Sequence, residues 1–120
     1  MIELKNFDNS QIINIFKKTK IYMDFGYHPG KDRMPREAVL FNNCIITNKR
    51  GSAGNKYDIP IKKKYKFDEK KLNLRKIKHI IDKIFNDYEK EIKNFLKYKK
   101  TVLEEKKKFN KDLKKIFIKK

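Results

Sequence analysis

Cysteine occurs once in these 120 residues, as Cys44, so no internal disulfide can form. Its place in an apolar run suggests a small buried residue. Histidine is nearly as scarce, and His28, His79 and Cys44 lack any metal-ligand spacing, so no structural zinc or other metal is expected. No apolar run approaches the roughly 18 residues of a membrane helix, and none at the start is long enough for a signal peptide. The expected location is therefore cytoplasmic, with a peripheral position on the inner face of a membrane as the variant that a basic surface would allow. All four glycines and all three prolines precede residue 61, so nothing after Pro60 forces a sharp break in the chain. Acidic residues are few, 15 against 33 Lys and Arg, which leaves a net charge of +18.

That charge is uneven. Residues 1–61 hold 10 basic against 6 acidic residues, whereas residues 62–120 hold 23 against 9. An excess of this size points to nucleic acid or an anionic membrane as a partner. Lys, Ile, Asn, Phe and Tyr are abundant together, however, as they are when a coding sequence is rich in A and T, and electrostatics alone names no partner. The length suits one compact domain with a lean core.

Taken in order, residues 1–5 alternate Ile2 and Leu4 with Glu3 and Lys5 and predict an initial strand. Asp8 or Ser10 then caps a helix whose apolar positions are Ile12, Ile13, Ile15 and Phe16. Residues 21–25 predict a second strand, residues 34–41 a second helix opened by Pro35 in its first turn, and residues 44–47 a third strand. Asn42 and Asn43 can end that helix, because Asn tolerates the left-handed conformation. Ile59 and Ile61 flank Pro60, and with Tyr65 and Phe67 they suggest short extended edge segments. Leu72, Leu74, Ile77, Ile80, Ile81, Ile84, Phe85 and Tyr88 then mark an amphipathic helix. Beyond it Tyr88, Ile92, Phe95, Val102, Phe109, Leu113 and Ile116 form a four-three seam interrupted at Lys99 and Lys106. The fold class is α/β: a partial Rossmann-like, three-layer arrangement with a short parallel sheet, followed by long C-terminal helices.

The stretch from Asp24 to Thr47 carries the chemistry. A loop that leaves the carboxyl end of a parallel strand and enters a helix meets unpaired N–H groups and a partial positive charge, which is where open α/β sheets bind anions. Here that loop holds His28, Gly30, Lys31, Asp32 and Arg33, with Arg36 and Glu37 in the first helical turns. A second polar loop with Arg50, Gly51 and Ser52 would leave the same edge, where backbone N–H groups can form an anion-binding nest. Blander readings stand beside these. The basic side chains can be solvated charges, Asp32 can simply pair with Arg33 or Arg36, His28 can be a turn residue, and Arg50 to Ser52 can be an ordinary connection. Gly30-Lys31 lacks the spaced glycine and the following Ser or Thr of a nucleotide P-loop.

The strings IYMDFGYHPGKDRMPREAVLF, NCIIT and KRGSAGN, in this order, resemble the last part of the C-terminal domain of glycosyltransferases with the two-Rossmann, GT-B architecture. The resemblance runs from about Ile2 to Tyr88. More narrowly, DFGYHPGKDRMPREA followed by CIITNKRGSA is similar to bacterial glycosyltransferases associated with surface polysaccharide synthesis. It implies a donor-binding half-domain over residues 1–88 and a basic amphipathic helix over 89–120. Glu37 then matches the carboxylate that holds the ribose hydroxyls of a nucleotide-sugar donor, and Gly30 with its neighbours matches the loop that approaches the sugar and diphosphate. The nucleotide-sugar is substrate, and no separate cofactor is implied.

Two departures matter. The family's second glutamate, eight residues before the first, is Pro29 here, and the family's N-terminal half has no counterpart. That half normally brings the acceptor, so the chain is expected to be inactive alone or to work with a complementary partner chain, a truncated remnant being the third option. The competing function is a non-enzymatic basic module that meets nucleic acid or an anionic membrane through its Lys-rich tail. Phe95, Tyr98, Phe109 and Phe117 sit at packing spacings there, which favours a core over base stacking and makes nucleic acid the less expected partner.

Overall fold

Local signals build the first half. Asp8 caps α1 (Asn9–Lys18) in a reciprocal capping box: its side chain accepts from the Gln11 N–H, and the Gln11 side chain accepts from the Asp8 N–H, both at 2.9 Å. Lys17 and Lys18 fall at the opposite end, where the helix dipole favours cations. The chain then enters β1 (Ile21–Asp24), crosses through α2 (Arg33–Leu40) and returns as β2 (Cys44–Asn48). At the end of α2, Asn42 has φ 62°, the left-handed turn that Asn can adopt. The computed structural model describes residues 2–4, 6–26, 33–49, 54, 59–71 and 73–118.

β1 and β2 pair in parallel, Ile21 with Cys44 through Asp24 with Thr47. The two-residue β3 (Lys66–Phe67) joins β2 at Thr47 and Asn48, giving a three-stranded parallel sheet in the order β1-β2-β3. All five residues of β2 are buried, as expected for the central strand of a sheet covered on both faces. The fold is thus α/β with a short parallel sheet and a long terminal helix.

Three expectations are corrected. Residues 2–4 form no strand: Leu4 packs on the core, but Asn6 at φ 60° turns the chain away. The helical run after residue 73 breaks without Gly or Pro, because α3 (Leu74–Asn86) ends at Asp87 (φ −140°, ψ 50°) before α4 (Tyr88–Glu91), a 3-10 turn over Ile92–Phe95 and α5 (Leu96–Ile118). This break lets Tyr88 donate its hydroxyl to the Asn42 carbonyl and turns Glu91 inward. Finally, Leu74 and Phe85, counted on the apolar face of α3, are exposed, and so is the seam residue Phe109.

Phe95, Tyr98 and Val102 nevertheless join Phe16, Val39, Ile45, Ile46, Ile59 and Tyr65 in one core. The sheet and the start of α5 are therefore packed together. The two lysines that interrupt the seam are engaged with the α2 region: Lys99 Nζ donates to Asn42 Oδ1 at 2.7 Å and Lys106 Nζ to Glu37 Oε1 at 3.2 Å.

Candidate functional site at the carboxyl edge of the sheet

Because β1 and β2 run parallel, the loops that follow them leave from one edge. Their roots are joined directly: Asn48 Nδ2 donates to the Gly26 carbonyl at 2.9 Å. Asp24 organises the first root, accepting the Gly26 N–H on Oδ1 at 2.8 Å and the Tyr22 hydroxyl on Oδ2 at 2.7 Å. A Cβ on Gly26 would lie 3.1 Å from Asp24 Oδ1, so the turn is close-fitting. The second root is pinched as well, since a Cβ on Gly54 would meet the Lys49 carbonyl oxygen at 2.8 Å. Lys49 and Gly54 are thus close neighbours.

Of the sequence-predicted site residues, His28, Gly30, Lys31, Asp32, Arg50, Gly51 and Ser52 lie outside the described residues. Arg33 is exposed at the first position of α2. Arg36 and Glu37 are partly buried, and both are engaged by α5. Arg36 pairs with Glu105, and Glu37, whose side chain is 20% exposed, takes Lys106 on Oε1. Between these helices lies an open cleft of about 600 Å³ lined by Arg36, Glu105, Lys106, Phe109 and Asn110. Pro35 is buried in the first turn of α2, where its missing N–H costs nothing.

Asp24 and Asn48 escaped the sequence reading, although one signal was available. Asp-x-Gly is the spacing of a side chain that accepts the N–H two residues on. Nothing local marks Asn48, because its partner lies 22 residues away.

Under the sheet sits a polar cluster that the sequence did not reveal. Glu91 is 1% exposed and accepts the Tyr65 hydroxyl on Oε2, with Lys64 Nζ at 3.2 Å and Lys83 Nζ at 3.6 Å. Asn94 Nδ2 donates to the Tyr65 oxygen at 2.9 Å. Burial pushes the Glu91 carboxyl up, but the Tyr65 hydrogen bond and the two lysines outweigh it and hold the group below the usual carboxylate range. Burial, and then the Glu91 charge, push the Cys44 thiol up to about 12, and burial, followed by the hydrogen bond to Glu91, raises the Tyr65 phenol. Cys44 is therefore a packing residue at neutral pH.

Comparison with known proteins finds no match: no family model, curated protein or solved structure is similar to the chain. Among the described residues, no three His, Cys, Asp or Glu side chains converge as a metal would need, and no helix is long and apolar enough to cross a membrane.

Proposed function

We propose that the chain is a glycosyltransferase-like unit that binds a nucleotide-sugar donor for glycan or surface-polysaccharide synthesis, the donor phosphates meeting loops 27–32 and 50–53 and the ribose meeting Glu37. The observation that carries this reading is the Asn48–Gly26 hydrogen bond, which roots both loops at one carboxyl edge, the usual ligand side of a parallel sheet. The exposed Arg33 at the start of α2 supports an anionic ligand there. Glu37 supports a diol, since a carboxylate accepts from two hydroxyls, although Lys106 must share it or give way. Transfer itself also needs an acceptor held in place, which this reading assigns to a complementary glycosyltransferase chain.

Calorimetric titration of uridine and guanosine diphosphate sugars into the folded full chain tests the proposal. Saturable binding is expected, weakened roughly tenfold or more by Glu37→Ala, the scale of a lost hydrogen bond to a charged group. No binding at millimolar donor would end it.

A further inference from the structure

The two residues of β3 pair with the last two of β2, so β3 ends at the same carboxyl edge, on the side away from β1. Beyond it lies a second concave surface of about 490 Å³, between the turn at Lys63–Tyr65, β3 and the first two turns of α3. Its lining brings together Lys63, Lys64, Lys66, Lys71, Arg75 and Lys76 against one carboxylate, Asp68. That carboxylate is committed locally, accepting the Lys70 N–H at 3.0 Å. Lys64 is tied to Glu91, but Lys63, Lys71, Arg75 and Lys76 are exposed and in no ion pair among the described residues. Lys66 is partly buried; burial first, and the Lys49 charge second, hold its ammonium below the usual range. Positive potential therefore accumulates here with little carboxylate to cancel it.

The geometry narrows the ligand. Asn73 Oδ1 already accepts the Arg75 N–H at 3.0 Å and the Lys76 N–H at 3.4 Å, so side chains rather than the helix start must do the recognising. Cations drawn from four successive elements, the Lys63–Tyr65 turn, β3, the Glu69–Lys71 turn and α3, line the groove, and a single small anion cannot neutralise them together. We propose that this groove, on the β3 side of the sheet, binds a linear phosphate chain of two or more phosphoryl groups. Lys71, Arg75 and Lys76 supply the charge-assisted hydrogen bonds, and Phe67 and Ile80 form the apolar part of the lining. The lysines of α5 differ: they alternate with Glu104, Glu105 and Asp112, and Lys99 and Lys106 are already engaged.

The test is titration of the full chain at fixed ionic strength with orthophosphate, pyrophosphate and tripolyphosphate. Affinity should rise along the series, tripolyphosphate binding at least about tenfold tighter than orthophosphate. Lys71→Ala with Arg75→Ala, both at exposed positions, should lose at least about tenfold, with unchanged far-ultraviolet circular dichroism. Lys107→Ala with Lys111→Ala on α5 should change binding less than about twofold. A flat series, or equal losses from the two double variants, would overturn the proposal. A single-stranded oligonucleotide arm identifies the source of the phosphates. Displacement of tripolyphosphate by the oligonucleotide in competition assigns them to a nucleic acid backbone, and failure to displace it assigns them to a free or small-molecule chain. Nucleotide-sugar binding is scored separately through Glu37, so either result can stand without the other.

Discussion

Residues 62–79 carry nine Lys and Arg against two acidic residues, and residues 96–118 carry nine against three. In composition the two stretches are near equivalents, yet the fold uses them differently. Along α5, Lys99 and Lys106 reach back to α2 and serve as struts between helices. Around β3 and the start of α3 the lysines line a groove, and Lys64 and, further along α3, Lys83 are drawn into pairs with Glu91. A lysine's role here follows from what its neighbours on other elements offer, and net charge says nothing about that. Glu91 stands between the two stretches, gathering Lys64 and Lys83 from one side and Tyr65 and Asn94 around the same buried point.

The strongest way to break the comparison is to remove that junction. Glu91→Ala leaves the Tyr65 hydroxyl without its acceptor and both lysines without their counter-ion. It should cost about 3 kcal/mol in urea unfolding, with Lys64 and Lys83 partly solvated and so less affected than Tyr65. The pH dependence follows from the same cluster. The Glu91 carboxyl titrates below its ordinary value in the fold, so the stability it contributes is present above its ordinary value of 4.5 and is lost as pH falls through the folded value. Cys44 is the opposite case. Its thiol is raised from 9.0 to about 12, so stability is full below pH 9.0 and declines as pH rises toward about 12, with Tyr65 titration reinforcing the loss. Thermal unfolding from pH 3 to 11 should show both flanks, and Cys44→Ala should flatten the alkaline one.

Smaller effects sharpen the contrast. Lys99→Ala removes the donor to Asn42 at the left-handed turn ending α2 and should cost about 1 kcal/mol. Lys106→Met should change stability by no more than about 1 kcal/mol, since the Lys106 side chain is half exposed. If Glu37 holds a donor ribose, the same variant should tighten nucleotide-sugar binding by up to about fivefold, because a competing cation has gone. An unchanged affinity would show that Lys106 and the donor do not share that carboxylate.

Much of the first half was readable in order. The Asp8 cap, α1, α2 and the Asn42 turn rest on interactions within a few residues, β1 and β2 show as short apolar runs although they pair across 23 residues, and the boundaries of all of them fall close to expectation. The second half was readable only as helical. Asp87 breaks the run with no Gly or Pro nearby, which became visible only with Tyr88 on the Asn42 carbonyl and Glu91 under the sheet. Of the candidate site, Arg36 and Glu37 were found at the expected place on α2, but their pairing with Glu105 and Lys106 spans 69 residues and leaves no local trace.

By itself, then, the sequence determined what short-range physics can encode: the caps, the turn, the order of α1, β1, α2 and β2, the burial of β2 and the excess of positive charge. Tertiary structure decided which charges are spent inside the molecule and which face outward, because that depends on partners brought together from distant parts of the chain. The interrupted seam of α5 is an example. Lys99 and Lys106 read as gaps in an apolar stripe, and packing against α2 turned them into contacts.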